Sequence, residues 1–164
     1  TGTGKGKSTA AWGLVMRCLG HGLKVGVVQF VKGRTVSGER KFLERFPELV
    51  RFEVMGQGFT WETQDRRQDI AAAEAALGIA STMLVDPDLH LVVLDELNIV
   101  LRYGYLDVAT VLDVLAARRD GLHVVVTGRN AKPELLEAAD LVTEMRLVKH
   151  PFRAGVKGQL GVEF

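Results

Sequence analysis

The chain predicts a doubly wound α/β domain with a mostly parallel sheet, and three observations carry that prediction. Short Val-rich runs alternate with stretches whose apolar residues fall at helical spacing. The runs are continuously apolar rather than alternating, as strands covered on both faces are. A glycine- and lysine-rich opening, Thr1–Thr9, leads at once into a helical pattern, the arrangement that puts backbone N–H groups at a helix N-terminus.

The elements follow in order. Ala10–Leu19 reads as the first helix and stops near Gly20 and Gly22. Val25–Val31 reads as a strand, with Lys32-Gly33 as its turn, and Val50–Met55 as a second strand. Thr63–Val85 is long and Ala-rich, a helix that stops before Asp86-Pro87. Leu91–Leu94 is a short, fully apolar strand. Leu106–Arg118 has helical spacing, and Val124–Val126 is a fourth strand. Pro133–Ala139 starts with Pro at a favoured first-turn position and Glu134 close behind. Leu141–Leu147 is expected to contain a fifth strand.

The length of 164 residues suits one domain with a full core, so 1–164 is read as a single unit. The formal net charge is +1 and no single-sign run is long, which argues against a nucleic-acid partner. No segment is apolar enough to span a bilayer and no signal peptide is visible, so a cytoplasmic protein is expected. The single cysteine, Cys18, excludes an intrachain disulfide and reads as a buried free thiol. The four histidines show no metal spacing, and no Ser/His/Asp or Cys/His arrangement is evident. A phosphate-wrapping loop normally hangs between a buried strand and its helix. No strand precedes it here, so the chain is expected to be N-terminally truncated, with its first strand missing.

The opening Thr1-Gly-Thr-Gly-Lys-Gly-Lys-Ser-Thr9 points to a nucleoside triphosphate. Glycine lets the backbone approach phosphate oxygens closely, and successive N–H groups form an anion-binding nest. Lys7 supplies a mobile positive charge, and the Ser8 hydroxyl suits a Mg²⁺ bound to the phosphates. The spacing departs from the usual phosphate loop, because Thr1 stands at the consensus glycine position and Gly2 is one residue too close to Gly6. The acids Asp95 and Glu96 follow Leu91–Leu94, at the edge of a parallel sheet where ligands bind. They read as the acidic half of a Mg–nucleotide site or as simple caps. Arg129, in Thr127-Gly128-Arg129, shares that edge and reads either as a phosphate contact or as a surface arginine. Arg17 lies two turns beyond the loop, and a solvated helix face explains it equally well. Phe59 and Trp61 sit in the Gly-flanked segment Gly56–Gln64. Core packing beneath a loop is one reading, and a wall against a flat apolar ligand is the other.

Six blocks in register then resemble a known family. They are Thr1–Thr9, Gly26–Gly33, Gly58–Gln64, Val92–Leu97, Thr127–Arg129, and Val148–His150 with Ala154–Lys157. Together they look like the ATP:cob(I)alamin adenosyltransferases of the bacterial RecA-like type, in which a short phosphate loop is itself a family mark. The resemblance implies a RecA-like domain with helices on both faces of the sheet. It implies that Co(I) of a reduced corrinoid attacks the 5′-carbon of ATP and that triphosphate leaves. By the same resemblance, Gly2, Thr3, Gly4, Lys5, Gly6, Lys7, Ser8 and Thr9 cradle the triphosphate, with Arg17 and Arg129 near the nucleotide. Ser8 and Glu96, with Asp95 nearby, hold Mg²⁺ (or Mn²⁺), and Lys7 and Glu96 carry the catalysis. Phe59 and Trp61 press on the lower face of the corrin ring and exclude the lower axial ligand, which eases reduction of cobalt. Cob(I)alamin or cobinamide as substrate, a reduced flavoprotein as electron donor and a homodimer complete what the family implies. Thr3 stands where the family commonly has Asn and Ser8 where it has Thr, and Arg34–Val50 diverges. The alternatives are a phosphate-loop kinase or NTPase, and a nucleotide- or corrinoid-binding module without turnover.

Overall fold

The computed structural model describes residues 1–31, 36–54 and 65–162. Four parallel strands form one sheet in the spatial order β2-β1-β3-β4: β1 (Lys24–Gln29), β2 (Val50–Val54), β3 (Leu89–Asp95) and β4 (His123–Val126). Helices α1 (Lys7–Gly20), α2 (Gly38–Leu43), α3 (Arg66–Leu84), α4 (Leu97–Arg102), α5 (Val108–Ala116) and α6 (Pro133–Ala138) connect or flank them.

Alternation along the strands assigns the two faces. Val28, Val92 and Leu94 point into a core shared with α3, α4, α5 and α6, where Ala76, Ala80, Met83 and Leu101 are buried. Val25, Val27, Leu91 and Val93 point into the opposite core, against Ala11, Trp12 and Val15 of α1. Helices on both faces are what continuously apolar strands require, and the doubly wound reading holds. Burying each such Val or Leu is worth about 1.5–3 kcal/mol, so the sheet is a firm platform for its polar ends. The fold is the α/β arrangement of a RecA-like phosphate-loop domain.

Local chemistry fixes the boundaries. Asp65 Oδ1 accepts the N–H groups of Arg67 (3.0 Å) and Gln68 (3.4 Å) and starts α3. The Ala73, Ala76, Leu77, Ala80, Met83 and Leu84 stripe seats that helix. Its small residues let it lie close to β1, where a Cβ on Gly26 would stand 2.9 Å from Met83 Sδ. Asp107 Oδ2 accepts the Thr110 N–H (3.0 Å) at the start of α5, and Pro133 opens α6.

Two readings change. The first helix begins at Lys7, three residues before the apolar pattern, because the phosphate loop itself supplies its first turn. Leu141–Leu147 is not a strand. Its backbone is spent on the opening loop instead: the Thr1 nitrogen donates to Thr143 O (2.8 Å), Met145 N–H to Thr1 O (2.9 Å), and Gly4 N–H to Met145 O (2.6 Å). Leu141 is 83% exposed, so the apolar character of this run does not mark a buried strand. The turn at Lys32-Gly33, Met55 and the Gly56–Gln64 segment lie outside the described residues.

Candidate active site

Parallel strands bring their C-terminal ends to one edge, and the opening loop lies there with Glu96 and Thr127-Gly128-Arg129. The loop's glycines are sterically required. Gly2 and Gly6 have φ of +97° and +99°. A Cβ on Gly4 would stand 2.8 Å from the backbone of Met145 and Arg146, so the loop packs on residues 145–146 through bare backbone. Gly6 caps α1 with no side-chain hydrogen bond, which leaves the first-turn N–H groups without a side-chain cap and facing the loop.

Lys7, the first residue of α1, curls back so that its ammonium donates to the Gly4 carbonyl. Burial, and then the charge of Arg129, pull its pKa below the usual lysine value, while Glu96 opposes the shift. Three charged groups from the loop, β3 and β4 therefore share one field. Ser8 is half-buried beside Lys7, whereas Thr3, Lys5 and Thr9 are exposed.

Glu96 is unusual twice. Its backbone is left-handed (φ 60°, ψ 20°), a conformation that costs a non-glycine residue about 1–3 kcal/mol and clusters at functional sites. Its Oε2 is buried with no hydrogen-bond partner. Burial, and next the adjacent Asp95 carboxylate, push its pKa above the ordinary carboxylate value, against the pull of Lys7 and Arg129. A desolvated carboxylate with one unpartnered oxygen, in the field of Lys7 and Arg129, makes Glu96 a candidate ligand for a cation.

Asp95 differs from its neighbour. It is 2% exposed and both its oxygens are engaged. Oδ1 accepts the Thr127 hydroxyl (2.7 Å) and Oδ2 accepts Gln29 Nε2 (3.0 Å). Gln29 and Asp95 are register partners on β1 and β3, which is why their side chains meet. The Thr127 oxygen in turn accepts the Glu96 N–H (3.0 Å). Asn98, also buried, donates its side-chain amide to Gly128 O (3.0 Å) and its N–H to Thr127 O (3.2 Å). Gln29, Thr127 and Asn98 escaped the sequence reading as site residues. A polar Gln closing a Val-rich strand is the signal that could have found the first.

Arg129 is exposed at the edge, within reach of the Lys7 and Glu96 charges. Arg17 stands in the last turn of α1, exposed, about 15 Å along the helix from Lys7 at 1.5 Å per residue. Cys18 is half-buried, and burial raises its thiol pKa, as an inert thiol requires. Phe59 and Trp61 lie outside the described residues. Among the described residues there is no cluster of three or more His, Cys, Asp or Glu able to hold a metal, and no helix is long and apolar enough to cross a membrane.

The family model for ATP:corrinoid adenosyltransferase BtuR/CobO/CobP matches residues 1–164. The chain belongs to the ATP:corrinoid adenosyltransferase family. Similar relatives include a corrinoid adenosyltransferase of Pseudomonas aeruginosa, 62% identical over all of this chain and 81% of its own length. A corrinoid adenosyltransferase of a Sinorhizobium species is 53% identical over all of this chain and 78% of its own. Corrinoid adenosyltransferase CobA of Salmonella typhimurium is 50% identical over all of this chain and 83% of its own. The chain is thus a transferase that moves the adenosyl group of ATP to a corrinoid.

Proposed function

We propose that the reaction runs by attack of the cobalt of a reduced, Co(I) corrinoid on C5′ of ATP. The cobalt electron pair forms the Co–C bond, and the C5′–O5′ pair leaves with triphosphate. The enzyme's task is then to hold negative charge on the entire leaving group rather than on one transferred phosphoryl group. What supports this reading is the shared field of Lys7, Arg129 and Glu96 beside the glycine loop, with the Lys7 ammonium on the Gly4 carbonyl and one Glu96 oxygen buried without a partner.

Gly2–Thr9 supply backbone N–H groups to the triphosphate, and Lys7 and Arg129 supply charge. Arg17 is proposed near the nucleotide by family resemblance. A hard-oxygen donor pair, the Ser8 hydroxyl and the orphaned Glu96 carboxylate, fits Mg²⁺ or Mn²⁺. When bound, that ion would neutralise phosphate oxygen charge. Phe59 and Trp61 are proposed to press on the lower face of the corrin ring. The reading includes one domain over 1–164, a homodimer, a cytoplasmic location, a reduced flavoprotein as electron donor, and cob(I)alamin or cobinamide as substrate.

The test supplies the protein with ATP, Mg²⁺ and chemically reduced cob(I)alamin, follows the corrinoid absorption and identifies the phosphate product. A light-sensitive Co–C product and triphosphate in equal amounts are expected. ADP and phosphate with no Co–C product would replace the reading with ordinary phosphoryl chemistry.

A further inference from the structure

We infer that Asp95 and Thr127 are positioning residues, a relay that holds Glu96 in its left-handed turn so that its carboxylate is available to the triphosphate site. The inference rests on the proposed role of Glu96 as the ligand of the nucleotide-bound cation, and it removes Asp95 from that ligand set.

Asp95 is enclosed between β1 and β4, with Gln29 Nε2 3.0 Å from one oxygen and the Thr127 hydroxyl 2.7 Å from the other. At 2% exposure it offers the site no free edge. Thr127 has one hydroxyl proton, and donating it to Asp95 fixes the oxygen lone pairs in the direction of the Glu96 N–H, 3.0 Å away. That N–H belongs to a residue at φ 60°, a conformation that persists only where the surroundings over-determine it. The second tie lies two residues on, where Asn98 donates N–H to Thr127 O (3.2 Å) and Nδ2 to Gly128 O (3.0 Å). The same short segment therefore clamps Glu96 from β4 and sets the start of the turn that presents Arg129. Of the two acids, only Glu96 keeps a buried oxygen without a partner.

The test measures binding of Mn²⁺ to the full chain in the presence of ATP and absence of corrinoid, by loss of the free Mn²⁺ paramagnetic resonance signal. Thermal unfolding of each variant is run alongside. Removing a positioning partner of a metal ligand characteristically weakens the metal by about 10–100-fold. Thr127→Val, which keeps the shape and deletes the hydroxyl, is expected to lose Mn²⁺ affinity in that range. Thr127→Ser, which keeps the hydroxyl, is expected to stay within about threefold of the parent, and Asp95→Asn to lose clearly less than Glu96→Gln. Should Thr127→Val fail to fold, the serine and Asp95→Asn arms decide the matter alone. The relay is overturned if Thr127→Val binds Mn²⁺ as the parent does, if Thr127→Ser falls outside that limit, or if Asp95→Asn loses Mn²⁺ as fully as Glu96→Gln. A parent protein that takes up no Mn²⁺ with ATP, or a Glu96→Gln variant that binds normally, would instead overturn the cation reading beneath it.

Discussion

Glu96→Gln should make the ligand-free protein more stable while removing its response to the metal–nucleotide complex. The parent keeps a carboxylate whose Oε2 is buried and unpartnered, next in sequence to the buried Asp95. Leaving one buried polar group unsatisfied costs about 1–3 kcal/mol, and more when it is charged. Lys7 and Arg129 offset part of that, so a net gain of about 1–2 kcal/mol is expected for the neutral amide. At about 2–4 °C per kcal/mol for a domain of this size, the midpoint should rise by roughly 2–8 °C. The sign with pH follows from proton linkage. The native state raises the Glu96 pKa above its ordinary value of 4.5. Between those two values the native state binds more protons than the unfolded chain, so this group's contribution to stability falls as pH rises. The advantage of the variant should therefore be full at pH 8 and fade toward pH 4. With Mg²⁺ and ATP at a hundred times the dissociation constant, the parent should gain about 2.7 kcal/mol and overtake the variant. Thermal unfolding at pH 5 and pH 8, with and without the nucleotide complex, reads all of this. A ligand-free variant less stable than the parent at pH 8, or a gap that ignores pH, would refute the reasoning.

Two further outcomes test other parts of the site. Gly128→Ala puts a Cβ 2.8 Å from Asn98 Cβ and 3.2 Å from Glu96 Oε2, at a φ of +122°. It should destabilise the protein by about 2–4 kcal/mol in urea unfolding, and a loss under 0.5 kcal/mol would mean that the turn is slack. If Trp61 excludes the lower axial ligand, Trp61→Ala should slow adenosylation far more when the assay starts from Co(II) and a reductant than when it starts from pre-reduced Co(I). Equal losses in the two assays would remove that role.

What was legible in the sequence depended on how local its physical cause is. Val25, Val27, Val28 and Leu91–Leu94 announced β1 and β3 because burial on both faces leaves a continuous apolar run. The Ala73–Leu84 stripe announced α3 for the same reason at helical period. Leu141–Leu147 misled because it is apolar without being buried, and its hydrogen-bond partners lie some 140 residues away in the opening loop. The six-residue α2 and α4 went unread because a single turn and a half carries little periodicity. Lys7 and Glu96 were legible as motif positions. The Gln29–Asp95–Thr127 chain was not, because it exists only when β1, β3 and β4 lie side by side, a fact of topology that no window of sequence contains.

The two ends of the sheet divide stability from function. At the N-terminal ends of the strands, polar groups are satisfied: the Arg119 guanidinium donates to the carbonyls of Asp86, Asp120 and Leu89, and Lys24 pairs with Asp88 at 2.8 Å. At the C-terminal ends the balance reverses. The left-handed Glu96 and Asn130, the positive-φ Gly128 and, among the described residues, both buried side-chain oxygens without partners, Glu96 Oε2 and Asn98 Oδ1, gather within one short arc. Random defects would fall at either end of the strands. Among the described residues these defects gather at the end that also carries the glycine loop, Lys7 and Arg129, which supports the proposed site there. The same two cores that make the strands unyielding allow that end to stay strained and unsatisfied, as the proposed ATP and corrinoid site there would require.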